Sequence, residues 1–466
     1  MGPNVVIIGI DSLRPDHTGY FGYNNDTSPN IDNFLRESIV FTNCYTPLAR
    51  TFPSWMSILT GKYPKSNGVR YNLIKRKFIN SNYKTLGAIL KDKNAYFSAH
   101  FTDETRFSNI IKDDGFEYLR HPIMGVKDFI LGSFYDFSLT NIFFNNPLGY
   151  KIFNFTDINR AIYHLYKNKY FTDELTSFSN ILKTKEKFLL AVHFCAPHWP
   201  YELSAPYTYL FKNEKEIDIG YYDGAIKMAD DQVGRLLNAL KKYNLYDNSI
   251  IILLSDHGES FGYFLGHGTE LRSNAQNHVV MAIKLAKEKK HLEINELVRT
   301  IDITPTVLDL LSLNVDYSCF DGKSLKPLIY SSKNEDDNYV ILETGFSLDG
   351  PKELSLPFEK MIKRGITFYE FDKKGIITVK ESLHEELIMH KQRAIQSSKW
   401  KLLLEPNYKG NINIFLYDLI NDPECKNNVI SKYPDVAKEL LNRLIQHYGD
   451  EINFNENRII ADLSED

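Results

Sequence analysis

From Asn4 to Ile10 the chain is a continuous run rich in β-branched side chains that stops at Asp11. A run with no polar alternation fits a strand buried on both faces, as in a parallel sheet. Ser28-Pro29-Asn30 then predicts a helix start, with Ile31, Phe34 and Leu35 on one face, and Ile39 to Phe41 predicts a second short strand. Pro53 and Ser54 head another helical stretch, Trp55 to Leu59, which stops at Gly61 as helices do at a C-terminal glycine. Thr51 therefore falls at a loop-to-helix junction.

Two further buried-strand patterns, Phe188 to Phe194 and Ser249 to Leu254, each run straight into polar residues. Pro197-His198 follows the first and Ser255-Asp256-His257-Gly258-Glu259 the second. Between them, Tyr221 to Tyr243 carries helical spacing through Ile226, Val233, Leu236, Leu237 and Leu240, which supplies a crossover helix. Alternating strands and helices predict an α/β fold. In such sheets the ligand crevice lies beyond the carboxyl ends of the strands, so Asp11, the His198 loop and the Asp256-His257 pair are expected to converge there.

Two segments stand apart. Leu131 to Phe155 contains eight aromatic residues among Asp, Asn and Pro; within an insertion of about 120–170 it reads either as a cover for the site or an interface, or as a satellite core under a long loop. After Ser331 the composition turns charged through Asn334-Glu335-Asp336-Asp337-Asn338, which suggests a linker. A smaller C-terminal domain should follow, with strands at Trp400 to Leu404 and Ile412 to Tyr417 and a last helix over Val436 to Tyr448. No internal repeat is visible.

Composition narrows the class without choosing the chemistry. With 466 residues, 43% hydrophobic and 24% charged, the chain is long enough for two or three domains with a sizeable core. Its 55 basic and 59 acidic side chains leave a net charge of -4, so nothing points to a nucleic acid polymer as partner. The strongest apolar run near the start covers only Val5 to Ile10, against about 20 residues for a membrane span, so no transmembrane segment is expected. Cys44, Cys195, Cys319 and Cys425 show no metal or redox spacing and read as free thiols. The expected location is cytoplasmic, or periplasmic or secreted if a signal was trimmed ahead of Met1-Gly2-Pro3.

Three clusters carry candidate chemistry. Asp11 at a strand end can be a metal ligand or a loop hydrogen-bonder. Asp256-His257-Gly258-Glu259, with His267 ten residues after His257, offers hard oxygen and imidazole nitrogen together, a donor set that suits zinc or manganese. Thr51 at a helix start is a cap on its own and a nucleophile only in the company of a metal.

Taken together, these clusters resemble the alkaline phosphatase and sulfatase superfamily in order and spacing. Asn4-Val5-Val6-Ile7-Ile8-Gly9-Ile10-Asp11 is similar to the sulfatase first strand and Ser28-Pro29-Asn30-Ile31-Asp32 to its TPNID helix start. Leu59-Thr60-Gly61-Lys62-Tyr63-Pro64 resembles the second sulfatase signature, and Ala196-Pro197-His198-Trp199-Pro200-Tyr201 the PHxPY loop. Further on, Ile301-Asp302-Ile303-Thr304-Pro305-Thr306 resembles the DxxPT helix, and Leu416-Tyr417-Asp418-Leu419 with Asp422-Pro423-Glu424 the LYDLxxDPxE turn. The resemblance implies a large mixed β-sheet flanked by helices over residues 1–331 and a small α+β subdomain over 332–466.

The departures from that pattern are informative. Sulfatases carry a cysteine in CxPxR that becomes formylglycine; here Thr51-Phe52-Pro53-Ser54-Trp55 has threonine for the cysteine and tryptophan for the arginine. Ser12 stands where the sulfatase metal site doubles its first Asp, and Asp256-His257 replaces the usual Asp-Asn. This set resembles the threonine branches of the superfamily: phosphoethanolamine transferases, glycerol-phosphate polymerases and nucleotide pyrophosphatase/phosphodiesterases.

The resemblance therefore implies a phosphodiesterase or phosphotransferase working through a phosphothreonine on Thr51. One divalent metal is expected on Asp11, Thr51, Asp256 and His257, zinc or manganese first, with calcium or magnesium as alternatives. His198 and His267 are the expected phosphoryl-binding or proton-donating groups, and Arg50, Lys62 and Asn72 candidate substrate ligands. Glu259 and His278 read equally as second-layer partners. His100 lies near the family's Lys-x-His position, Asp16 and His17 read as stabilising the loop after the first strand, and Lys287 to His291 reads as a solvated helix face. The substrate would be a small-molecule, glycan-linked or lipid-linked phosphoester. Competing readings are a soluble phosphoethanolamine or phosphoglycerol transferase, a sulfuric ester hydrolase using threonine, and a binding module without chemistry.

Overall fold

The computed structural model describes residues 2–102, 110–120, 168–199, 201–204, 207–211, 217–261, 266–331, 338–345, 369–371, 377–406 and 412–452. The aromatic segment Leu131 to Phe155 and most of the charged stretch after Ser331 lie outside them.

The main sheet comprises β1 (Asn4–Ile10), β2 (Ile39–Phe41), β3 (Phe97–Thr102), β4 (Tyr118–Arg120), β5 (Phe188–Phe194), β6 (Ser249–Ser255), β7 (Met281–Lys284) and β8 (Leu292–Ile294). Its spatial order is β8-β2-β7-β6-β1-β5-β3-β4. β1 pairs in parallel with both β5 and β6, while β7 runs antiparallel to β2 and β6, so the sheet is mixed.

Why β1 has no polar alternation is visible in its two faces. Val5 and Ile7 pack with Phe52, Met56 and Leu59 of α2 (Thr51–Thr60), Leu86 and Leu90 of α3 (Leu86–Asn94), and Val307 of α6 (Ile303–Leu310). Val6, Ile8 and Ile10 meet Ile31 and Phe34 of α1 (Pro29–Arg36), Leu175 of α4 (Asn168–Leu182), and Val233 and Leu236 of α5 (Ile217–Lys242). Each apolar side chain therefore enters one of two cores, which is what a strand in the middle of a covered sheet requires. Lys287 to His291 is turn and extended backbone leading into β8, not a helix; Lys287 has φ +59°, a left-handed turn that a helix cannot include.

A second, antiparallel sheet follows in the order β9 (Val340–Glu343), β10 (Arg393–Gln396), β11 (Trp400–Pro406), β12 (Ile412–Asp418). Leu402, Leu404 and Leu416 on one face pack against Leu440, Leu441 and Leu444 of α7 (Pro434–Tyr448). Val340, Leu342 and Leu403 on the other meet Tyr45, Leu271 and Leu297 of the large unit. The chain after 331 does not stay in this sheet alone: Ile377, Val379, Leu387 and Ile388 join the α2 core, with the Val379 N–H donating to the Leu73 carbonyl.

A buried ionic cluster ties the two parts together. Arg70 makes a two-pronged contact with Glu343 and also reaches Glu451, while Lys391 donates to the carbonyls of Arg70 and Thr344. Burial alone would raise the Glu343 carboxyl, but Arg70 and Lys391 override it and hold it down at about 2. A carboxyl depressed in the fold contributes stability above its unfolded value of 4.5, and that stability is lost as pH falls toward 2. Glu343→Gln is expected to cost about 3 kcal/mol at neutral pH, because Arg70 keeps only Glu451 and the buried Lys391 loses its carboxylate. In urea unfolding at several pH values the variant should lose its steep dependence between pH 4.5 and 2; a parent-like slope would show that Glu343 does not carry the linkage.

Candidate functional site

The strand register brings the site together. Gly9 of β1 lies beside His193 of β5 and Leu254 of β6, so Asp11 and Asp256 leave adjacent strands at the same level. Side chains alternate across a strand. Asp11 continues the Val5-Ile7 face, Asp256 the Ile250-Ile252-Leu254 face and His193 the Leu189-Ala191 face, all of which look toward α2. The result is two carboxylates and an imidazole with no exposure to solvent.

α2 closes this face from above. Thr51 is its first residue and is fully buried, with Oγ1 3.4 Å from His257 Nε2. Trp55, one turn on, packs its indole over Gly9, where an added Cβ would lie 2.3 Å from Cζ2, and its ring stands edge-on to His193 and His100. The space that an arginine occupies in the CxPxR pattern is thus filled by an apolar ring. The amides at the start of α2 are largely committed: Phe52 N–H donates to Asn72 Oδ1 at 3.0 Å, Pro53 has none, and Ser54 N–H donates to the Arg50 carbonyl at 2.9 Å. Stabilisation of an anion here falls to side chains more than to the helix terminus.

Those side chains form a row. The His257 and His267 rings stack with centroids 4.2 Å apart, and His198 follows at 5.2 Å from His267. His267 Nδ1 lies 3.3 Å from Glu259 Oε1. Burial pushes the Glu259 carboxyl up to about 8, against the pull of Tyr201, Arg50 and Arg14. Arg50 enters between two glycines, since a Cβ on either Gly268 or Gly345 would fall 2.7 Å from its Nε. Lys391 lies behind, its ammonium lowered to about 7 by burial.

The donor set fits a divalent metal. His257 Nδ1 donates to the Gly258 carbonyl at 2.9 Å, which leaves the Nε2 lone pair facing Asp11 Oδ1 at 3.7 Å and Asp256 Oδ2 at 3.6 Å. Donors around an ion with bonds of about 2.1 Å stand about 3.4 Å apart, so these spacings suit atoms sharing a cation. Ligand atoms of Asp11, His193 and Asp256 also lie within 4.8 Å of one another. Ser12, with φ +58°, turns its N–H to Asp256 Oδ1 at 3.2 Å and its hydroxyl to Asp11 Oδ1 at 2.7 Å. It holds the carboxylates that the family's second Asp would join.

Of the residues expected from the sequence, the fold gathers Asp11, Thr51, Asp256, His257, His267, His198 and Arg50 in one place. Asn72 stands beside them, accepting from the amide next to Thr51. Lys62 does not: it follows Gly61 at the far end of a 10-residue helix, about 15 Å from Thr51 by helical rise, and acts on Cys319. His278 donates to the Thr42 carbonyl in a short edge strand, and His17 pairs with Asp223 at 2.8 Å, where it braces the loop after β1. His193 and Cys195, whose thiol lies 3.5 Å from Asp11 Oδ2, were not anticipated. A histidine at the end of an otherwise apolar buried strand, in phase with Asp11, was the available signal.

A sulfatase family model matches residues 3–313. The chain is 26% identical over 418 residues to an arylsulfatase of Clostridium perfringens, covering 75% of this chain and 83% of that protein. It is 24% identical over 409 residues to a multifunctional alkaline phosphatase superfamily protein, PehA, of Trinickia caryophylli, across 72% and 78% of the two chains. The solved structure of a phosphonate monoester hydrolase of Agrobacterium radiobacter superposes with a TM-score of 0.65 over 97% of this chain and 96% of its own, at 17% identity, a likeness of fold. Among the described residues no helix is long and apolar enough to cross a membrane.

Gly345→Ala offers a check on Arg50, because the atoms nearest the added Cβ all belong to the Arg50 side chain and none to the backbone. Its circular dichroism should match the parent, while turnover of a sulfate or phosphate ester drops roughly 10- to 100-fold as the guanidinium is displaced. Unchanged turnover would remove Arg50 from the substrate site.

Proposed function

Because the chain belongs to the sulfatase family, and is thereby a hydrolase of sulfate or phosphate esters, we propose that it cleaves phosphoric diesters through a covalent intermediate on Thr51. The observation that carries this reading is the buried Thr51 hydroxyl beside His257 and the Asp11–Asp256 pair, where the family pattern has a modified cysteine.

A free threonine hydroxyl is too basic to attack an ester at neutral pH. Asp11, Asp256 and His257 would hold a divalent ion, zinc or manganese by the donor types, which would supply Lewis acidity to lower the pKa of an adjacent hydroxyl and offset charge on the non-bridging oxygens. Thr51 Oγ1 loses its proton to solvent and bonds to phosphorus in line as the bond to the leaving oxygen breaks. His267, held by Glu259, and His198 beyond it stand in order outward from Thr51, suited to bind the phosphoryl oxygens or to protonate the leaving alkoxide. Arg50 adds a fixed positive charge beside them. Water in a second displacement releases Thr51.

Sulfate-ester hydrolysis is the second reading, favoured by the sulfatase names among the relatives. The residue chemistry weighs against it. Formylglycine expels sulfate by eliminating it from a hydrate, and a threonine sulfate has no second hydroxyl to drive that step. Trp55 also stands where the formylglycine pattern has its arginine, and its ring packs on His193.

Incubation with bis-p-nitrophenyl phosphate followed by mass spectrometry is expected to find phosphate on the peptide that contains Thr51. Thr51→Ala should fold normally and lose at least about 10³-fold in turnover. Unchanged rates in that variant, or turnover of an aryl sulfate with none of the phosphodiester, would overturn the assignment.

A further inference from the structure

We propose that His193, through Nε2, is itself a ligand of the metal that this site would hold. The proposal rests on the reading of Asp11, Asp256 and His257 as a metal centre.

Distance separates this role from that of an ordinary buried histidine. A protonated imidazole pairing with carboxylates makes charge-assisted hydrogen bonds of about 2.7–2.9 Å. His193 Nε2 stands 3.5 Å from Asp11 Oδ2 and 3.6 Å from Asp256 Oδ2, too long for such bonds and near the spacing of two donors on one cation. The Asp11 carboxylate is divided between two imidazoles, Oδ1 facing His257 and Oδ2 facing His193. Each histidine thus approaches the carboxylate pair from its own strand end.

The ring is also held in place for this task. Thr102 on β3 pairs directly with His193 in the register, and its hydroxyl lies 3.1 Å from Nδ1. When the Nδ1 hydrogen is given to that hydroxyl, Nε2 keeps its lone pair toward the carboxylates. Trp55 packs against the ring from the α2 side at 5.5 Å between centroids.

Ser12 supplies no ligand of its own. Its N–H and hydroxyl are both spent on the carboxylates as hydrogen-bond donors, so the position where the family pattern repeats Asp offers no carboxylate to an ion. His193 adds an imidazole nitrogen to the donor set. With two imidazoles the site favours a zinc-class ion over calcium or magnesium, which prefer oxygen donors.

The test uses the full chain stripped of metal by a chelator and titrated with Zn²⁺ by calorimetry, and with Co²⁺ for its visible absorption. His193→Ala should weaken Zn²⁺ binding by at least about 100-fold and Thr102→Val by about tenfold, the loss typical of an outer partner. Both should keep the circular dichroism of the metal-free parent, and His193→Ala should shift the Co²⁺ bands. Asp11→Asn is the control. If Asp11→Asn abolishes Zn²⁺ binding while His193→Ala leaves affinity and bands unchanged, the His193 assignment is overturned and the metal centre stands. If the parent and Asp11→Asn bind Zn²⁺ equally weakly, the metal centre fails and His193 with it. Should His193→Ala not fold, X-ray absorption of the zinc-loaded parent decides: two imidazoles are expected, and one would overturn the proposal.

Discussion

Two carboxylates, Asp11 and Asp256, emerge side by side from adjacent parallel strands with no access to water. Like charges in a low-dielectric interior repel strongly and are tolerated only when something positive or polar is shared between them. The surroundings are organised to meet that demand. Ser12 adopts a left-handed turn so that its amide and hydroxyl reach both groups, His257 and His193 flank the pair, and the Ser54 hydroxyl and the Asp256 carbonyl join at 2.7 Å to fix the helix above it. Where Thr51 can sit follows from that last contact.

The α2 face of the sheet shows how packing serves the same end. Gly9 is the residue in β1 where absence of a side chain matters, because the Trp55 indole occupies the place of its Cβ. That ring seats the first turn of α2, and with it Thr51, directly over the strand ends. Thr304 on α6 donates to the Ile58 carbonyl at 2.7 Å, and Asp302 holds Arg299 at 2.8 Å beneath Tyr63, so the DxxPT stretch is a brace for α2 and not part of the chemistry. The second sheet contributes from the side. Through Glu343, Arg70 and Lys391 it is anchored beside the site, and its Gly345 confines the Arg50 guanidinium.

Much of this was legible in the order of residues. Continuous apolar runs that end in Asp or His mark strands buried on both faces, and Asn4–Ile10, Phe188–Phe194 and Ser249–Ser255 have these forms in the structure. A helical stretch over Trp55 to Leu59 could be read from Pro53 and Gly61, and the helix in the structure runs Thr51–Thr60. Three things could not. Lys62 lies close to Thr51 in sequence and a full helix length away in space. The Phe52 amide at the start of α2 is taken up by Asn72, twenty residues downstream, which accepts its hydrogen bond. Residues 377–388 belong by position to the C-terminal part and by packing to the first core, because Ile377 and Val379 find their buried surface there.

By itself the sequence determined the α/β class, the family and the chemical identity of Asp11, Thr51, Asp256 and His257, since period, punctuation and donor type are local properties. Tertiary structure alone decided which distant residues share that space. His193 carries no motif, and its role depends on a register that sets it beside Gly9 and on a strand phase that turns it toward α2. Arg50 gains its position from two glycines, one at 268 and one at 345, far apart along the chain. Register and burial depend on which strands become neighbours, and that is settled only when both cores close over the sheet.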